Sequence, residues 1–156
     1  MVLSKTILIL EDNLKVVSKI LEELFELEHD QPYDFSVIAL TNYKQVEDYV
    51  NTNPKAQFDI ILLDRDCKLN NSFHVLDIER FGVDKVIAIS SISEYNEELK
   101  QRGVKRVVLK DLKNIDKFAK KVVKEVERMV TPSRLLRVSQ RIFRRKFGCK
   151  VQVNKL

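Results

Sequence analysis

Five short apolar runs recur along the chain, and most of them are continuous stretches of Val, Ile and Leu. Continuous runs of this length are typical of parallel β-strands that are covered on both faces of a sheet. The pattern therefore predicts five strands: Thr6–Leu10, Ser36–Leu40, Asp59–Leu63, Lys85–Ile89 and Arg106–Leu109.

Helical periodicity appears between and after these runs. Two long helices are predicted, with apolar side chains repeating on one face of each. They span Leu14–Glu28 (Val17, Ile20, Leu21, Leu24) and Ile115–Val130 (Phe118, Val122, Val126, Met129), and shorter helices are expected near Lys44–Val50 and Ser72–Arg80. A βα unit repeated five times predicts an α/β fold, a doubly wound parallel five-stranded sheet with helices on both faces.

The 156 residues are enough for one domain, which we place at residues 1–131, and a short extension at 132–156. The mean hydropathy is -0.23, and no apolar run approaches the roughly 20 residues of a membrane span. The N-terminus does not have the pattern of a secretory signal, so a cytoplasmic location is expected. With only 3 glycines the chain has no Gly-rich phosphate loop, which argues against a nucleotide-binding enzyme.

The extension is strongly basic, whereas residues 1–131 are mildly acidic. It contains no acidic residue and eight basic ones: Arg134, Arg137, Arg141, Arg144, Arg145, Lys146, Lys150 and Lys155. Thr131-Pro132 is a common helix start, and the apolar positions that follow predict a basic amphipathic helix ending near Gly148. Three interpretations stay open: packing on the domain or on a second copy of the chain, binding nucleic acid, or lying on an anionic membrane surface.

Polar residues follow four of the predicted strands. They are Glu11 and Asp12 after the first, Asp64 after the third, Ser90 after the fourth and Lys110 after the fifth. The carboxyl ends of parallel strands share one edge of the sheet, so we expect these side chains to meet there. Clustered carboxylates require a compensating cation, and Mg²⁺ suits an all-oxygen site. An aspartate in such a site can form an acyl phosphate.

In their types and order these residues resemble the receiver domain of two-component response regulators, over roughly residues 4–130. The resemblance implies a flavodoxin-like fold in which Asp64 accepts a phosphoryl group from a sensor histidine kinase or a phosphotransfer protein. It also implies that Mg²⁺ is held by Glu11, Asp12, Asp64 and the backbone carbonyl of Asp66. Lys110 would pair with Asp64 and then with the phosphoryl group, which the Ser90 hydroxyl would follow.

Such a domain is a signalling module, not a classical enzyme, although self-phosphorylation and self-dephosphorylation at Asp64 are compatible with it. Two departures from the family pattern concern signal output. Val107 stands where the family usually has a switch aromatic, and Asp111 replaces the proline after Lys110, so a trans peptide bond is expected there.

Taken singly, each of these residues has a simpler interpretation. Acidic residues before a helix favour its positive end, Asn13 is a good helix N-cap, and Asp64 and Ser90 are common turn residues. Their coincidence is what favours a site. The alternative from a different functional class is a degenerate receiver that acts as an interaction module, with the basic extension binding nucleic acid or an anionic membrane surface.

Overall fold

A parallel five-stranded sheet forms the centre of the computed structural model, which describes residues 2–67 and 71–131. Its strands are β1 (Leu3–Leu10), β2 (Tyr33–Leu40), β3 (Ile60–Leu63), β6 (Val86–Ala88) and β7 (Arg106–Val107), in the order β2-β1-β3-β6-β7. All five predicted strands are confirmed, with bounds that differ by a few residues. The predicted basic helix falls within 132–156, outside the described residues.

Helices cover both faces of this sheet. They are α1 (Leu14–Asp30), the one-turn α2 (Tyr43–Gln45), α3 (Ile78–Phe81), α4 (Ser93–Gln101) and α5 (Ile115–Val130). The turn of α2 continues as a π-helix over Val46–Asn51, so the second helix is where the sequence predicts it but has a wider hydrogen-bond pattern. The predicted flavodoxin-like α/β fold is confirmed.

Alternating side chains of β1 separate two hydrophobic cores. Ile7 and Ile9 pack with α1 and α5, whereas Leu8 and Leu10 pack with the helices of the opposite face. All four side chains are fully buried, as expected for a strand with helices on both sides. One predicted core position is wrong: Leu21 is 39% exposed, and Val16 is buried on α1 instead.

The segment after β3 differs from the predicted third helix, Ser72–Arg80. Asp66–Cys67 (β4) and Asn71–Ser72 (β5) pair as a small antiparallel hairpin, followed by a 3₁₀ turn at Phe73–Val75 and then by α3. Leu76 interrupts the helix because its backbone is extended. On a continuous helix the buried side chains of this segment would spread over about 200°, and the break lets all of them reach one core. These side chains are Phe73, Leu76, Ile78 and Phe81.

Two glycines stand where helices end and the chain turns back to the sheet. Gly82 and Gly103 have φ values of 102° and 99°, a region that favours glycine. The peptide bond between Lys110 and Asp111 is trans, as expected. Among the described helices, none combines the length and apolar character needed to cross a membrane.

Candidate functional site

Backbone hydrogen bonds extend the sheet past the ends of its strands and position the candidate residues. Asp64 N donates to Leu10 O at 3.0 Å, and Lys110 N donates to Ser90 O at 3.0 Å. Glu11 N donates to Leu40 O at 3.3 Å. Asp64 and Glu11 are therefore each held by the end of a neighbouring strand, and Lys110 is held by Ser90, two residues past the end of β6, so the predicted edge follows the sheet.

Lys110 lies between two buried carboxylates at this edge. Its Nζ is 2.6 Å from Oε2 of Glu11 and also bonds to Oδ2 of Asp64. The side chains of Glu11, Asp64 and Lys110 are 0%, 4% and 6% exposed, so this triad is shielded from water. Three residues far apart in sequence thus form one charge cluster, which helix capping or turn formation alone would not require.

Burial and charge act against each other in this triad. Burial raises the pKa of Glu11 to about 7, and Asp64 adds to that rise while Lys110 opposes it. Burial also raises the pKa of Asp64 against the opposing effect of Lys110. Burial alone would lower the pKa of Lys110, but the two carboxylates outweigh it and raise that pKa. Lys110 therefore stays protonated, but its single positive charge does not fully offset the burial of the two carboxylates.

The donor set fits a hard divalent cation. Glu11, Asp12 and Asp64 each offer a carboxylate oxygen, and these oxygens lie within 4.8 Å of one another. Oε2 of Glu11 is buried without a well-aligned hydrogen bond in the described part of the chain, although Lys110 Nζ lies beside it. Buried acceptors of this kind are normally satisfied. An oxygen-only cluster short of positive charge is what Mg²⁺ or a similar ion prefers.

Asn13 and Ser90 complete the edge. Oδ1 of Asn13 accepts from the backbone N of Lys15 and of Val16, which confirms it as the α1 N-cap, and Asn13 N donates to Oε1 of Glu11 at 3.0 Å. Ser90 is 2% exposed, and its Oγ accepts from Ile92 N at 3.3 Å. The capping interpretation therefore holds for Asn13, while Glu11 also takes part in the buried triad.

A second network joins the residue after Asp64 to α4. The Arg65 guanidinium stacks 3.8 Å from the centre of the Tyr95 ring, and its Nε lies 3.5 Å from Oε2 of Glu98. Backbone N of Arg65 donates to Oδ1 of Asp64 at 2.8 Å. Together with Lys110, this bond gives both carboxylate oxygens of Asp64 a donor and orients the group.

His74 lies beside this network, with its side chain 14% exposed and its Nδ1 3.6 Å from Oε2 of Glu98. Burial lowers the pKa of His74 to about 4, Glu98 opposes that effect, and Arg102 and Arg65 reinforce it. The folded pKa lies below that of the unfolded chain, so the contribution to stability is present above about pH 6.5 and is lost as the pH falls toward 4.

We expect His74→Gln to remove part of the acid sensitivity of the fold. Between about pH 7.5 and pH 5, the variant should lose about 2 kcal/mol less unfolding free energy than the wild type. Urea unfolding at both pH values measures this. His29→Gln is the matched control, because His29 is the other histidine and its side chain is 75% exposed. Equal pH slopes for His74→Gln and the wild type would contradict the expectation.

Sequence reasoning missed two contacts at this edge, made by Arg65 and by Asn96. Asn96 is 2% exposed on α4, and its side chain bonds to the backbone of Ser90. A signal for it was present, because Asn96 lies three residues before Leu99 on the buried face of α4. The stacking of Arg65 on Tyr95 has no local sequence signal, since 30 positions separate them.

Comparisons with known proteins support the fold. No protein-family model matches the chain, and no curated protein matches it in sequence. Among solved structures, it is similar to the phosphorylated cyanobacterial phytochrome response regulator RcpA, at 18% identity and a TM-score of 0.63, over 81% of this chain and 94% of that one.

Two further similar structures are also response regulators. The Mn²⁺-bound form of the response regulator Rcp1 is 16% identical with a TM-score of 0.54, over 76% of this chain and 91% of that one. The bacteriophytochrome response regulator RtBRR is 24% identical with a TM-score of 0.52, over 72% and 71%. The chain therefore has the fold of response-regulator receiver domains.

Proposed function

We propose that this protein is a receiver domain that accepts a phosphoryl group on Asp64 in a reaction requiring Mg²⁺. The observation that carries the proposal is the buried triad of Glu11, Asp64 and Lys110, with Asp12 beside it, at the carboxyl edge of a receiver-type sheet. The donor would be a sensor histidine kinase or a phosphotransfer protein. Signalling would then proceed through altered contacts with a partner.

The chemistry is nucleophilic attack by a carboxylate oxygen of Asp64 on phosphorus. The new bond joins this oxygen to phosphorus as the bond to the leaving group breaks, and that bond's electron pair leaves with the donor's histidine nitrogen or, for acetyl phosphate, with acetate oxygen. Lys110 already contacts Asp64 and is positioned to pair with the charge of the transferred group. Because the triad is buried, this charge interaction is weakly screened.

Glu11, Asp12 and Asp64 would hold the cation, together with the backbone carbonyl of Asp66. Mg²⁺ would neutralise charge on the phosphoryl oxygens when bound. The deficit of positive charge around Glu11 and Asp64 supports this assignment. Rcp1, a response regulator of similar fold, binds Mn²⁺.

Ser90 would follow the phosphoryl group with its hydroxyl. It lies two residues after the end of β6, beside Lys110, whose backbone N donates to its carbonyl oxygen. Its Oγ accepts a bond from Ile92 N and keeps its own proton available for a phosphoryl oxygen. The expected cytoplasmic location and the roles given to residues 132–156 stay predictions.

The test is incubation of the full chain with Mg²⁺ and acetyl phosphate, followed by intact-mass analysis. The wild type should gain the mass of one phosphoryl group, whereas Asp64→Asn should gain none, because an amide is a poor nucleophile toward phosphorus. Chelation of Mg²⁺ should also suppress the gain.

Asp30→Asn is the matched control. Its side chain is 74% exposed at the last residue of α1, the end of that helix away from Asp64, so this variant should still be modified. An adduct on Asp64→Asn, or none on the wild type, would reject phosphorylation at Asp64. The latter result would favour the degenerate receiver, an interaction module without phosphoryl chemistry.

A further inference from the structure

A buried amide clamp joins Ser90 to α4. Ser90 N donates to Oδ1 of Asn96 at 3.2 Å, and Nδ2 of Asn96 donates to Ser90 O at 3.2 Å. The side-chain amide therefore pairs with both backbone groups of Ser90, as an additional strand would. Both residues are 2% exposed, so water cannot replace either bond without local opening.

The clamp belongs to a continuous set of contacts that begins at Asp64. Lys110 Nζ bonds to the Asp64 carboxylate, and Lys110 N donates to the same Ser90 O that Asn96 binds. Ser90 is thus held between Lys110 on one side and α4 on the other. A backbone displacement of Ser90 has to carry Asn96 with it or leave buried polar groups unpaired, which is unfavourable.

Few other contacts hold α4 in place. Only Asn96 and Leu99 are buried on this nine-residue helix, and its N-cap residue, Ile92, makes no side-chain capping bond. Its other ties are on the exposed side: Arg65 stacks on Tyr95 and pairs with Glu98, His74 lies beside Glu98, and Arg102 at the C-cap pairs with Glu79. An element with so little buried apolar surface is free to shift at low cost.

Val107 stands at the position on β7 where the receiver family, which the chain resembles, usually has a switch aromatic. We propose that Asn96 is a positioning residue that couples Ser90 to α4, so that phosphoryl capture at Asp64 is transmitted as a rearrangement of α4. This inference rests on the proposed function. The hydrogen-bonded amide of Asn96 would transmit the change at Ser90 to α4, which the aliphatic side chain of Val107 cannot do through hydrogen bonds.

The test compares hydrogen exchange of the full chain with and without Mg²⁺ and beryllofluoride, a phosphoryl mimic. In the wild type, exchange of the Ser93–Gln101 amides should change on the order of tenfold when the mimic binds. In Asn96→Ala this change should fall below about twofold, while ¹⁹F NMR still detects bound beryllofluoride. A merely structural role would alter the exchange in the free protein and leave the response to the mimic intact.

Two further variants keep the result interpretable. Asn96→Asp retains an acceptor for Ser90 N but loses the donor to Ser90 O, so it should show a reduced response even if Asn96→Ala does not fold. Glu97→Ala, which changes an exposed residue of the same helix, should respond as the wild type does.

The outcomes separate this inference from the function on which it rests. If the wild type binds no beryllofluoride, the phosphoryl-accepting function fails. If the wild type binds it but α4 does not respond, or if both Asn96 variants respond fully, phosphoryl acceptance stands and the role of Asn96 is rejected.

Discussion

Lys110→Met is expected to lower the unfolding free energy by about 3–5 kcal/mol near pH 8 in the absence of divalent metal. The substitution preserves much of the side-chain volume but removes the ammonium that Glu11 and Asp64 share. Two buried carboxylates then face each other without compensation, and a buried charge without a partner is strongly destabilising. Urea unfolding measures the loss directly.

The same variant should respond to acid and to metal in a definite direction. Burial already raises the pKa of both carboxyl groups, and loss of Lys110 raises these pKa values further. The loss of unfolding free energy in Lys110→Met should therefore be smaller near pH 5, where protonation removes the carboxylate charges. It should also be smaller when Mg²⁺ is added near pH 8. Lys113→Met, at an exposed position on the same loop, should stay within about 0.5 kcal/mol of the wild type. An equal loss in both variants would contradict a special role for Lys110.

Glu11→Gln is expected to flatten the pH dependence of stability. Burial, with the Asp64 charge adding to it, raises the pKa of Glu11 to about 7 from a usual value of 4.5. The folded state then binds this proton more tightly than the unfolded chain does. The corresponding stability is present below about pH 4.5 and is lost as the pH rises through about 7, and it amounts to about 3 kcal/mol.

A glutamine cannot titrate, so the variant should lose about 3 kcal/mol less than the wild type between about pH 4.5 and pH 8 when metal is absent. Urea unfolding across this range measures the difference, and Glu22→Gln, an exposed change on α1, should keep the wild-type slope. Mg²⁺ should stabilise Glu11→Gln less than it stabilises the wild type, because one anionic ligand is lost. A slope equal to that of the wild type would show that the pKa of Glu11 is not raised in the fold.

The predicted third helix is a case in which local hydrophobic periodicity does not predict the structure. Ser72–Arg80 has apolar residues at spacings compatible with a helix, but its burial is decided by contacts with strands and helices that are distant in sequence. A single continuous helix could not turn all four core side chains toward one face. The chain instead becomes extended at Leu76 and starts α3 anew with Asp77 as its N-cap. A periodicity read along the segment contains no information on this choice.

The sequence likewise predicts one part of the candidate site and not the other. Its residue types, and their placement after strands, follow from sequence because apolar runs locate the strands and parallel pairing brings the strand ends together. The insertion of Lys110 between Glu11 and Asp64 does not follow, since it depends on side-chain direction and burial at three separate strand ends. The Asn96 clamp and the Arg65 stack depend on where α4 lies against the sheet.

The five strands, the two long helices and the polar edge that contains Asp64 follow from local hydrophobic periodicity and from chain order, which are both present in the sequence. The buried triad of Glu11, Asp64 and Lys110 and the bonds of Asn96 to Ser90 depend instead on how the folded chain packs. The energies of buried charges and buried amides depend on which distant atoms exclude water around them, and linear spacing does not specify those atoms.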